Sequence, residues 1–267
     1  MSVNCVITVR IGSERLPRKN LRLLSGRPLP SYAIEIAKRA GVFDRIVLDG
    51  DDPVFENIAR DGRVEFYLRP RPLGHSSIPF DEVILDFMEK HPSDLVAVVN
   101  SPSPLLKPEE VAKAVRMVLE DRCDSVIASQ FVNHHALFQG EPVNFETNTK
   151  IARAQDLIPV ETLCDSFMVW RSRIFRESMA KQGCGIMCGR FSTLPVCANS
   201  ALAIRTEEDL RMVQALVDAG ARPDPESSYA SSLGALAASL HAPRVPRRPC
   251  RNGDLSAPAK GHHDGTV

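Results

Sequence analysis

The sequence has no surplus of charge of either sign: 33 Lys and Arg stand against 33 Asp and Glu in 267 residues. General nucleic-acid and membrane-surface binders carry a basic excess, so this balance argues against both. Long apolar runs are missing too. Nothing approaches the roughly 20 residues that cross a bilayer, and charge and turn residues begin at Arg10, which does not fit a signal peptide. Aromatics are scarce, and the single Trp, Trp170, is expected in the core. No GxGxxG follows any strand-like run, which removes support from a nicotinamide-dependent oxidoreductase. The seven Cys are odd in number and irregularly spaced, and Cys184 and Cys188 stand four apart without a second pair. That is poor zinc spacing and points to a reduced, cytoplasmic protein without a metal cluster.

What is present is an alternation of strand-like and helix-like segments. Val3–Val9, the Arg45–Gly50 run, the segment around Phe66 and the all-apolar run ending at Asn100 read as strands. Between them, Pro30 to Gly41, the stretch after Pro53 and the segment from Phe80 read as helices, as does the one from Lys107 onward. This rhythm predicts an α/β fold: a doubly wound, mostly parallel sheet with helices on both faces. Ligands of such sheets bind at the carboxyl ends of the strands, so the loops after Val9, Leu48, Leu68 and Val99 are the informative ones. From about residue 133 to 165 the rhythm breaks, as for an inserted lid or oligomer contact. It returns with a strand at "SFMVW" and ends with a helix capped by Thr206 and closed at Gly220. The expected organisation is one domain over 1–220, a small docked helix in 221–242 and a disordered tail over 243–267.

The first loop is strongly basic. Between Arg10 and Arg27 lie Arg10, Arg15, Arg18, Lys19, Arg22 and Arg27 against the single acid Glu14. A loop at this place meets phosphates in doubly wound sheets, yet it has neither the dinucleotide nor the P-loop glycine pattern. Charge alone leaves two readings open: side-chain neutralisation of a polyphosphate, or a solvated surface loop.

The residues themselves go further. "VITVRIGSERLPRKNLRLLSGRPL" (6–29) resembles the opening motif of the CMP-sialic acid synthetase (acylneuraminate cytidylyltransferase) family, which also includes enzymes that activate Kdo; that motif reads approximately ARxGSxxLPxKNlxxlxGkPL. Arg10, Gly12, Ser13, Leu16, Pro17, Lys19, Asn20, Gly26, Pro28 and Leu29 match it. Further segments resemble the family at Asp51, at Arg69–Pro70, at Ser103–Leu105, at the "NHHALF" run and at "SFMVW", so the likeness covers about residues 3–220. It implies a Rossmann-like nucleotidyltransferase fold and transfer of CMP from CTP to an acceptor oxygen with release of pyrophosphate. It also implies Mg2+ as cofactor and a homodimer reached through the insertion, with no nucleic-acid or membrane partner.

By the same resemblance Arg10 and Lys19 are the catalytic cations and, with Ser13, hold the triphosphate, while Asn20 contacts the nucleotide. Arg69 and the "GHSS" segment with Ser76 and Ser77 would line the cytosine and ribose side. Asn100 and Ser103 would complete the substrate contacts.

Two departures bear on the acceptor and the metal. The family's late metal-binding aspartates fall at Ala203 and Arg205, and a guanidinium cannot ligate Mg2+. Asp51 and Asp165 are then the candidate metal ligands, with Asp49 a further one. The Arg that reads the acceptor carboxylate becomes Leu163, and another becomes Leu106, so an ordinary sialic acid acceptor fits poorly. A similar subgroup that activates small phosphonates in natural-product (antibiotic) biosynthesis fits better, with Arg205 holding the anionic headgroup. The alternatives are a sialic-acid-like or Kdo-like sugar acid, a catalytically inactive nucleotide-binding relative, or use of another nucleotide such as GTP.

Overall fold

The computed structural model describes residues 1–220; the expected docked helix and tail lie outside the described residues. Seven strands form the central sheet: β1 (Val3–Val9), β2 (Arg45–Gly50), β3 (Glu65–Leu68), β4 (Leu95–Val99), β5 (Ser125–Val132), β6 (Val160–Arg171) and β7 (Phe191–Pro195). Their spatial order is β7-β5-β6-β4-β1-β2-β3. All neighbours pair in parallel except β6, which runs antiparallel to both β4 and β5. This is the mostly parallel, Rossmann-like sheet that the alternation predicts.

Helices cover both faces: α1 (Leu29–Ala40), α2 (Phe55–Asp61), α3 (Phe80–Lys90), α4 (Pro108–Leu119), α5 (Ser172–Gln182) and α6 (Glu207–Asp218). Their sequences carry the stop and start signals physically. Gly41 closes α1 at φ 66°, a left-handed turn that glycine adopts without a Cβ penalty. Thr206 caps α6 by accepting from Asp209 N, while the Asp209 carboxylate accepts from Thr206 N, a reciprocal capping box. No helix among the described residues is long and apolar enough to cross a membrane.

The alternation of side chains along β1 divides the core. Cys5, Ile7 and Val9 pack with Ala33, Ala37, Val111 and Val115 on one face. Val6 packs on the other with Ile84, Phe87, Met88 and Trp170. A strand buried on both sides needs apolar residues at successive positions, which is why "VNCVITV" reads as a run. Trp170 is fully buried and donates its indole N–H to Ile186 O at 2.8 Å, as expected of a core residue. Cys5, Cys123, Cys164, Cys188 and Cys197 are free thiols, and burial pushes Cys164 and Cys188 up to about 11, so these two behave as small hydrophobes.

Strand β6 begins at Val160, inside the segment that reads as aperiodic. Residues Val160 to Leu163 extend the pairing with β5 beyond the core, and a shift in register separates them from Met168. Their outward part alternates half-exposed and exposed residues, so no apolar run announces it. The rest of the insertion holds a short hairpin, Leu137–Phe138 with Glu141–Pro142, and a single 3-10 turn at Ala154–Asp156.

Candidate functional site

The strand order reverses between β1 and β4, the place where a crevice opens at the carboxyl edge of a doubly wound sheet. A cleft of about 290 Å³ lies there. Its floor is Thr8 and Val9 at the end of β1, together with Arg69 after β3. One side carries Arg10, Ser13, Lys19 and Asn20 from the basic loop, with Asn100 and Pro102 following β4. The opposite side is apolar, built from Leu73, Ile78, Phe80 and Val83 around Gly74 and His75.

The basic loop is held by a hydrophobic anchor. Leu16 is buried in a small cluster with Leu24, Leu29, Ile204, Leu210 and Val213, which ties the loop to α6. Lys19–Leu21 then form a 3-10 turn entered through Arg18 at φ 53°. Asn20 sits beneath the turn: its amide donates to Arg10 O at 2.9 Å and its carbonyl accepts from Ser101 Oγ at 2.6 Å. Arg22 pairs with Glu207 on α6 through two contacts of 2.6 and 2.7 Å. The cations thus project from a braced turn, which favours the polyphosphate reading over a loose surface loop.

Lys19 feels this crowding. Burial, followed by Arg15, Arg10 and Arg205, pulls its ammonium down to about 8, with Asp165 pulling the other way. Arg205 lies beyond the lining at the same end. Ile204 N donates to Pro102 O at 2.8 Å, Arg205 N donates to Asp209 Oδ2 at 2.8 Å, and the guanidinium stands 3.5 Å from Asp165 Oδ2. Asp165 O in turn accepts from the Asn100 side chain at 2.8 Å. Four cations therefore converge with one carboxylate among them, an arrangement suited to a multiply charged anion.

Arg69 is buried, and its guanidinium is used internally: Nη1 donates to Asp49 Oδ2 at 3.1 Å and Nη2 to Val9 O at 3.0 Å. Asp49 is fully buried, and that burial raises its carboxyl while Arg69 opposes the rise. Asp51 is elsewhere engaged. Its Oδ1 accepts from Ile11 N at 2.8 Å, and a Cβ at Gly74 would come within 2.8 Å of Oδ2, so glycine is required where the two segments meet.

The cleft therefore gathers Arg10, Ser13, Lys19, Asn20, Arg69 and Asn100, with Arg205 and Asp165 beside them. Ser76 and Ser77 are exposed and outside the lining, and His75 takes their place. Ser103 is buried and does not line the cleft. Among the described residues no three His, Cys, Asp or Glu gather as a metal site. The acids present fit a cation that arrives with a polyphosphate and takes one or two carboxylate oxygens, but not a cage built by protein alone. The apolar wall had no sequence signal, because it spans a loop and the first turn of α3.

Comparisons with known proteins show what the chain is similar to. A family model described as cytidylyltransferase matches residues 4–160. The chain is 26% identical over 199 residues to the N-acylneuraminate cytidylyltransferase of Streptococcus agalactiae serotype V, covering 67% of this chain and 48% of that protein. It is 30% identical over 131 residues to the pseudaminic acid cytidylyltransferase of Campylobacter jejuni, covering 47% and 56%. The chain spans about half the length of the curated relatives it matches. A solved CMP:2-keto-3-deoxy-manno-octonic acid synthetase complexed with CTP superimposes with a TM-score of 0.62 at 16% identity, over 82% of this chain and 100% of that one, a likeness of fold.

Proposed function

The chain belongs to the cytidylyltransferase family, and on that premise we propose that it transfers CMP from CTP to a small anionic acceptor, releasing pyrophosphate. The observation that carries this reading is the two-sided cleft, with cations on one side and an apolar wall on the other. The first suits a triphosphate and the second a pyrimidine ring.

Attack of an acceptor oxygen on the α-phosphorus needs little covalent help from protein. It needs neutralised phosphates and in-line placement. Arg10 and Lys19 would neutralise the triphosphate and the departing pyrophosphate, Arg10 as a planar fork and Lys19 as a compact point charge. Ser13 would donate to a phosphate oxygen, and Asn20 would keep the loop in register while facing the nucleotide. Mg2+, when bound, would add charge neutralisation on the phosphates, with Asp165 and Asp51 as the candidate ligands.

For the acceptor, the relatives' names support a carboxylate sugar acid. A compact phosphonate is the second reading, favoured by Arg205 beside Lys19 and by aliphatic Leu163 and Leu106 where the family resemblance calls for arginines. Homodimerisation belongs to the same reading. The insertion exposes Leu137, Phe138, Ile151 and Ile158, more apolar surface than a short arm keeps in water.

The test is pyrophosphate release from CTP and Mg2+ with a panel of nonulosonic acids, Kdo-like acids and small phosphonates, repeated with GTP. Turnover confined to CTP and one acid class is expected, and Arg205→Ala should raise the acceptor KM about tenfold or more. Tight CTP binding with no turnover on any acceptor would favour an inactive nucleotide-binding relative.

A further inference from the structure

Beneath the cleft, the charge of Arg69 is cancelled from below. Arg69 and Asp49 are 4% and 0% exposed, and they meet through the 3.1 Å bond across the ends of β2 and β3. Arg69 Nε and Asp49 Oδ1 have no hydrogen-bond partner. The other charges facing Asp49 are carboxylates. Asp51 follows two residues on, and Asp86 approaches from α3, where it accepts from the Tyr67 hydroxyl at 2.9 Å. With Asp49 ionised, as it is above the value of about 7 to which burial raises it, the floor carries one cation and no net positive charge, although the rim a few residues away carries Arg10, Arg15, Lys19 and Arg205. A buried guanidinium without a counter-ion would draw an anion strongly, because its field is little screened by water.

We propose that Asp49 is a positioning residue for the nucleotide: by cancelling Arg69 from beneath, it keeps phosphates off the floor and reserves that end of the cleft for the uncharged base. This rests on the CTP reading of the cleft. Without Asp49 the cleft would hold two cationic ends, and a triphosphate could enter in either direction. With it, only the loop side attracts phosphate, and the apolar wall of Leu73, Ile78, Phe80 and Val83 faces the ring.

The experiment compares CTP with inorganic tripolyphosphate by calorimetric titration of the intact 267-residue chain at pH 8, where the Asp49 carboxyl is ionised. In Asp49→Asn, which keeps the shape and frees the Arg69 charge, the ratio of CTP to tripolyphosphate affinity is expected to fall about tenfold or more. In steady state this reads as a raised KM for CTP with kcat changed far less. In Asp49→Asn/Arg69→Met, which removes both charges, the ratio is expected to return to within about threefold of wild type, whatever the absolute affinities. A merely structural role would weaken both ligands alike, and an unmoved ratio in Asp49→Asn overturns the proposal. Should that variant fail to fold, the double variant decides. A retained ratio supports charge cancellation, and a ratio lowered about tenfold shows that the guanidinium itself selects, which overturns it. A wild-type chain that shows no preference for CTP over tripolyphosphate, or binds neither, overturns the functional reading instead.

Discussion

Lys19 offers a pH test that an ordinary surface lysine would fail. It is half-buried, and burial together with Arg15, Arg10 and Arg205 brings its ammonium from the usual 10.5 to about 8. A bound triphosphate supplies negative charge and favours the ammonium form, so only protonated Lys19 binds well. Affinity is therefore level below that value of about 8 and lost as pH rises through it. With the group at about 8, roughly one molecule in eleven remains protonated at pH 9, and CTP should bind about tenfold more weakly at pH 9 than at pH 7. That is about 1.4 kcal/mol, a modest figure consistent with a partly solvated group. A lysine left near 10.5 would give almost no change over the same range. Calorimetric titration of CTP at pH 7, 8 and 9, at constant ionic strength, reads the effect directly. Lys19→Arg should keep affinity at pH 7 and flatten the profile, because guanidinium does not titrate there. A level wild-type profile, or a loss at pH 9 that persists in Lys19→Arg, would refute the reasoning.

Two stability predictions follow from the fold. Thr206→Ala removes the side-chain half of the α6 capping box and should cost about 1 kcal/mol in chemical denaturation; no change in midpoint would mean that the cap is dispensable. Trp170→Ala empties a fully buried site that also holds Ile186 O, and about 3–5 kcal/mol should be lost, enough to populate unfolded chain in thermal melts; a loss below about 1 kcal/mol would contradict the packing described for it.

The parts of this protein legible in its sequence are those where one physical demand repeats. Strands β1 and β4 are buried on both faces, so their residues are mostly apolar in succession, and the helices between them carry Pro near the start or Gly at the end. The basic loop stood out because its cations have only Glu14 against them in an otherwise balanced chain. The first part of β6 was illegible, because Val160 to Leu163 leave the core and bury little. The Asp49–Arg69 pair was invisible for a different reason. Twenty residues separate the partners, and only the parallel register of β2 on β3, Gly50 opposite Leu68, brings them together. Ser76 and Ser77 sit in a segment the family resemblance marks, but the chain turns there so that His75 and Ile78 face the cleft.

The central claim is that side-chain cations of the first loop hold the triphosphate. Its most direct measurement is CTP affinity of the folded chain carrying both Arg10→Met and Lys19→Met. Two charge-assisted contacts of about 1.5–3 kcal/mol each should vanish together, and affinity should fall about a hundredfold or more while the melting temperature is kept. Affinity within about threefold of wild type, in a variant shown to be folded, would contradict the account.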